Sequence, residues 1–248
     1  LRTDGGGIDT PYTTRDLTEN FERIALFDEY ALRAGRYVAQ QSASRLRRWE
    51  TPVRVEVVFG NSVSSEQRET DLDNISDYVA RLARITGRDI RMAAPGVSGN
   101  YFVLIQNLDE QRMSRPLLQR LVPGIDDSTV RDITDMQRFT FCSVYAFSTN
   151  QKPDTYTTAV AVIRGEHPPL LRLSCIHEEI AQGLGLANDS PAARPSIFND
   201  DDEFALLTSH DEKLLRILYD RRLQPGLEPG EARPLVTEIA SGVMGGSS

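Results

Sequence analysis

Residues 175–190, Cys175-Ile-His-Glu-Glu-Ile-Ala-Gln-Gly-Leu-Gly-Leu-Ala-Asn-Asp-Ser190, decide how the rest of the chain is read. The stretch joins a His to a Glu, yet the place one helical turn after His177 holds Ala181. At about 100° per residue, Glu178, Gln182 and Glu179 share one polar face of a helix. Leu173, Ile176, Ile180 and Leu184 form an apolar stripe suited to packing under a sheet. His177 falls well away from Gln182 and borders the packed side. The His-Glu pair is therefore not half of a two-histidine metal grip, and the polar face carries the candidates for chemistry.

Working outward, "RFTFCSVYAF" (138–147) and "TYTTAVAVIRG" (155–165) read as strands paired in a hairpin across "STNQKPD". "TPVRVEVVFG" (51–60) alternates Val53, Val55 and Val57 with polar partners, and "DIRMAA" and "YFVLIQN" supply two further strands. A long helix starts at Ser64 or Ser65, with Ile75, Val79, Leu82 and Ile85 on one face and Gly87 as its stop. Residues 108–138 read as an insertion with a short helix or two. Leu17, Phe21, Ile24 and Phe27 mark a first helix from Thr14, resuming over 30–46. "TSHDEKLLRILYD" (208–220) is a last helix, with capping-box spacing from Ser209 to Glu212. The domain plan is a flexible tail (1–13), an N-terminal helical segment (14–48), an α+β domain (49–225) and a flexible Gly/Pro/Ser-rich tail (226–248). Its sheet is expected to be covered on one side.

The 248 residues, 40% apolar and 26% charged, suit a globular protein with a sizeable core. A net charge of −8 without a basic stripe argues against nucleic acid as a partner, and Arg47 and Arg48 read as a solvated edge. No apolar run is long enough to span a bilayer. A first residue of Leu rather than Met reads as a trimmed product whose export signal is already removed. Cys142 and Cys175 lie in segments expected to be buried. A disulfide between them would fit an exported protein and is the favoured reading; two buried free thiols would fit a cytosolic one.

Shifted by one residue, the quoted stretch keeps the spacing of the long zinc-peptidase motif H-E-x-x-H-x-x-G-x-x-H. Glu179 falls on the catalytic glutamate and Gly185 on the turn glycine, while Glu178, Gln182 and Asn188 fall on the three histidine seats. The chain thus resembles a metzincin-type zincin with exchanged ligands. It is more closely similar to an uncharacterised exported bacterial family with an "EExxQxLGLxND…SIFND" pattern, here Glu178, Glu179, Gln182, Leu184, Gly185, Leu186, Asn188, Asp189 and Ser196 to Asp200. Phe198 takes the approximate place of the metzincin turn methionine. The resemblance implies a zincin-like mixed sheet with a long helix and an active-site-type helix, over roughly residues 20–225.

Gln and Asn amide oxygens are neutral and bind zinc weakly, so a Glu178/Gln182/Asn188 trio disfavours a zinc peptidase. Without an activated water, Glu179 has no nucleophile to use. Calcium would accept Asn188, Asp189 and the acids 200–203 more readily, although no EF-hand spacing is present. Glu178 and Glu179, with Asp189 or Asp200 as partner, would suit acid–base work on a glycan. The reading adopted is a non-catalytic domain in which Gln182 and Asn188 exchange hydrogen bonds and Glu178 caps or pairs with an Arg. It is expected to be exported to the periplasm or cell surface, to need no cofactor, and to bind a protein partner of the envelope or an extracellular assembly, with the N-terminal helical segment free to dock. His167 and His210 read as surface residues, and Trp49 as a core anchor.

Overall fold

The computed structural model describes residues 1–33, 36–199 and 201–246. Asp200, which the "SIFND" pattern and the acid run include, lies outside the described residues. The chain opens with α1 (Thr14–Ala25), capped by reciprocal hydrogen bonds between Thr13 and Asp16. A two-stranded antiparallel sheet follows, β1 (Phe27–Arg33) and β2 (Arg36–Ala43). This replaces the helix expected over 30–46. The N-terminal helical segment is therefore a helix plus a hairpin.

The main sheet begins with β3 (Arg48–Trp49) and β4 (Val53–Phe59). Next come α2 (Ser65–Thr86), β5 (Ile90–Met92) and β6 (Tyr101–Gln106). Three short helices, α3 (Leu108–Arg112), α4 (Arg115–Leu121) and α5 (Asp127–Thr134), lead to the hairpin β7 (Cys142–Thr149) and β8 (Lys152–Arg164). The strand order is β5-β4-β6-β8 with β7 beyond β8, and β3 pairs with the start of β8. All pairings are parallel except β7 with β8. The fold is thus a mixed α/β arrangement with one antiparallel edge strand.

The sheet is covered on both faces, not one. Tyr101, Val103 and Ile105 of β6 face the large core cluster, with Ala159, Ala161 and Ile163 of β8. Phe102 and Leu104, with Val160 and Val162, face a second cluster completed by Leu118 of α4 and Val130 and Ile133 of α5. Every residue of β6 is buried, as expected for a central parallel strand sheltered on each side. The segment read as an insertion is the cover of that second face.

α6 (Pro169–Gln182), the quoted helix, lies under the large cluster, followed by α7 (Ser209–Leu218) and α8 (Pro229–Gly245). α7 is capped one residue earlier than expected, by Thr208 and Asp211. α8 stands where a flexible tail was expected: Pro229 fits the first turn, and Ala232, Val236, Ile239 and Ala240 are buried. α8 packs against α1 and α7. Leu17, Phe21 and Ile24 of α1 are fully buried, so α1 belongs to the core and is not a free docking segment. Residues 1–13 are also tied down: Arg2 pairs with Asp4, Asp9 and Glu203, and its backbone bridges to that of Phe204. Arg48, read as a solvated edge, is 1% exposed and donates to the carbonyl of Leu218, the last residue of α7, and to that of Asp220 just after it. No helix among the described residues is long and apolar enough to cross a membrane.

Candidate functional site

α6 is held from four directions. Tyr78 of α2 donates its hydroxyl to the His177 carbonyl at 2.8 Å, and Tyr101 of β6 donates to that of Glu179 at 2.7 Å. Trp49 Nε1 donates to the Gly183 carbonyl at 2.9 Å, which makes it the expected core anchor. Near the helix start, the Arg172 guanidinium forms a buried pair with Asp71 of α2 at 2.8 Å. The Cys142–Cys175 disulfide, with a Cα–Cα distance of 5.9 Å, joins the helix to the start of β7. Just past the helix, Gly185 takes φ +129, and a side chain there would collide with the Arg47 carbonyl. The turn glycine of the spacing is thus set by backbone conformation and close approach.

His177 is a packing residue. Its ring stacks on Tyr78 with centroids 3.9 Å apart, and Nδ1 accepts the Leu207 backbone N–H at 3.1 Å. Burial, aided by the Arg81 charge, pushes its pKa down to about 3, so the ring is neutral.

Glu179 is 3% exposed, and its Oε2 is buried without a hydrogen-bond partner among the described residues. Burial first, then the neighbouring Glu178 and Asp189, push its carboxyl well above the ordinary carboxylate range. Both causes favour its protonated form. One carboxylate oxygen each from Glu178 and Glu179 and Sγ of Cys142 lie within 4.8 Å of one another. Cys142 and Glu178 are only half-buried, so this point lies near the surface of the seam between α6 and β7.

The other two seats diverge. Gln182 Nε2 donates to Asp189 Oδ1 at 3.1 Å. Asn188 is 1% exposed, donates Nδ2 to the Arg23 carbonyl at 3.0 Å, and is bound through its backbone N–H to the Ile24 carbonyl. The expected exchange of hydrogen bonds between Gln182 and Asn188 is replaced by these separate bonds. Asn188 Oδ1 is buried without a hydrogen-bond partner among the described residues.

The acid run does not gather into a cation site among its described members. Glu203 is engaged by Arg2 and Arg194, and Asp201 accepts the Glu203 backbone N–H. His210 is fully buried, contrary to a surface reading. It lies beside Asn20 and Asp211, edge-on to Tyr12. Asp211 anchors the "SIF" segment by accepting from the Ser196 hydroxyl and the Ile197 N–H. Phe198 is fully buried in the core beneath it. His167 is half-buried and bonded to the Phe141 carbonyl at 2.9 Å. The sequence missed the His210–Asp211 network; the polar cap signature "TSHD" at the head of α7 marks its position.

These features define a disulfide-bridged mixed α/β domain with a glutamate buried on the helix that follows its last strand. Residues 14–238 match the family described as "Protein of unknown function (DUF2927)", and the chain belongs to that family. No curated protein and no solved structure gives a significant match.

Proposed function

We propose that this chain is an exported, zincin-like domain without peptidase activity that serves as a binding or assembly component of the cell envelope or of an extracellular structure. Support for the zincin-like part comes from arrangement: a long helix after an early strand, a mixed sheet with an antiparallel edge, and an acid-bearing helix after the last strand. Export is supported by the disulfide, which persists in oxidising compartments. The carrying observation for the loss of peptidase chemistry is the Asn188 bond to Arg23 of α1. The seat a third zinc ligand would need holds two parts of the core together instead. The donor set of Glu178, Gln182 and Asn188 has two neutral amides, and does not fit a catalytic zinc.

The test uses the oxidised protein purified without added metal. Less than a tenth of an equivalent of zinc and no peptide cleavage are expected. Stoichiometric zinc, together with cleavage abolished by Glu179→Gln, would overturn the reading.

A second reading is favoured by one observation, the buried Glu179, its pKa raised by that burial, beside the half-buried Glu178. An acid of raised pKa beside a second carboxyl group is the pairing that retaining glycan hydrolysis requires, with separations of about 5–5.5 Å. Reducing-end release from cell-wall glycan that is lost in both Glu178→Gln and Glu179→Gln would establish it. No release from the wild type would eliminate it.

A further inference from the structure

One sulfur and two carboxyl groups crowd one point of the seam between α6 and β7. Sγ of Cys142 and an oxygen from each of Glu178 and Glu179 lie within 4.8 Å of one another, and Cys175 is bonded to that same sulfur. Glu179 adds a second observation, because its Oε2 is buried and has no hydrogen-bond partner among the described residues. A disulfide offers no N–H or O–H to such an oxygen. A cation would satisfy it.

We infer that reduction of the Cys142–Cys175 disulfide opens a site for a divalent cation of the zinc class, held by the thiolates of Cys142 and Cys175 and the carboxylates of Glu178 and Glu179. Zinc takes thiolate sulfur at about 2.3 Å and carboxylate oxygen at about 2.0–2.2 Å, and prefers four donors in a tetrahedron. Ligand atoms around such an ion stand about 3.3–3.8 Å apart, by the same bond lengths. Sγ of Cys142 and the two oxygens, within 4.8 Å of one another, need to draw in by up to about 1–1.5 Å, and Cys175 Sγ swings in to complete the set once its bond to Cys142 is cut. Thiolates also select this class of ion over calcium or magnesium. Gln182 and Asn188 take no part, so the site differs from the histidine seats of the zinc-peptidase spacing. It does not rest on the binding-component reading, which concerns the oxidised protein.

The chemistry balances with a dithiol as reductant. Cys142 is half-buried while Cys175 is 1% exposed, so the reductant thiolate attacks the Cys142 sulfur. Cys175 leaves as a thiolate, and a mixed disulfide forms at Cys142. The second reductant thiol then displaces Cys142, and the reductant departs as its own disulfide, having supplied both electrons. On metal binding each thiol, and any protonated carboxyl, gives its proton to solvent.

The experiment reduces the full chain with a dithiol, removes the reductant under argon, and titrates Co²⁺ and then Zn²⁺. One Co²⁺ per chain is expected, with a thiolate-to-cobalt charge-transfer band that Zn²⁺ abolishes. The oxidised protein should show no such band. Glu178→Gln and Glu179→Gln, which leave the thiols intact, should each weaken binding at least tenfold. Cys142→Ser/Cys175→Ser should show no band in either redox state. Circular dichroism of the reduced wild type checks that the fold persists. Absence of the band in folded, reduced wild type overturns the proposal. So does binding that neither Gln substitution weakens, because the thiols would then be taking up an adventitious ion only. Loss of the fold on reduction overturns it as well.

Discussion

Asn188 donates its side-chain amide to the carbonyl of Arg23, across 165 residues of sequence, and its backbone N–H binds the next carbonyl, that of Ile24. Both acceptors belong to the last turn of α1, where carbonyls have no partner inside the helix. A residue in a metal-ligand position of the spacing therefore acts as a C-terminal cap for a distant helix. Asn188→Ala leaves a buried carbonyl unanswered and is expected to cost about 1–3 kcal/mol, read as a lower urea midpoint with an unchanged slope. A loss below about 0.5 kcal/mol would show that this bond is not needed to hold α1.

His177 should make the fold acid-sensitive. Its pKa is about 3 in the folded protein and 6.5 ordinarily, so the unfolded chain binds the proton first as pH falls. The stability that comes from keeping it neutral is complete above pH 6.5 and drains away toward pH 3. His177→Gln retains an acceptor for the Leu207 N–H and removes this titration. Urea midpoints at pH 7 and pH 5 should differ less in the variant than in the wild type.

Glu179 acts with the opposite sign. Its folded pKa is raised, so above its ordinary 4.5 the unfolded chain ionises first and stability falls as pH rises. Glu179→Gln has a similar shape and no proton to lose. Its stability relative to the wild type should increase between pH 5 and pH 8; a constant difference would mean that Glu179 ionises in place.

The Arg172–Asp71 pair, with side chains 6% and 3% exposed, joins α6 to α2. Arg172→Met strands a buried carboxylate and is expected to cost about 3–5 kcal/mol. Adding Asp71→Leu should recover most of that loss, since an apolar pair can replace a buried ion pair. Thermal melts of the two single variants and the double variant give the coupling directly.

Gly185→Ala should cost about 1–3 kcal/mol from backbone conformation alone, with the collision at the Arg47 carbonyl added to it. Expression of folded Gly185→Ala protein with a wild-type melting temperature would show that the turn can relax.

Much of this fold was legible where period and punctuation agreed. Val53, Val55 and Val57 gave β4 by alternation, and α2 was bracketed by Ser64, whose side chain caps it, and by left-handed Gly87. The hairpin of β7 and β8, the disulfide and the packed position of His177 were readable for similar reasons. The hairpin of β1 and β2 was not, because the apolar spacing that follows α1 fits a helix as well as a ladder. α8 was hidden by composition: Pro229, Gly230 and Pro234 suggest a tail, although Pro229 sits in the first turn, where its missing N–H costs nothing. At the candidate site, sequence placed Glu178 and Glu179 on one face. It could not show that Asn188 turns away to α1, since that bond depends on an element 165 residues upstream.

The contact of α1 with α8 also bears on synthesis. Ribosomes deliver α1 well before α8, the surface that shelters part of its apolar stripe. A nascent chain halted near residue 225 would carry the whole sheet and still expose greasy flank on α1, so the packing of this domain waits for α8 to leave the exit tunnel.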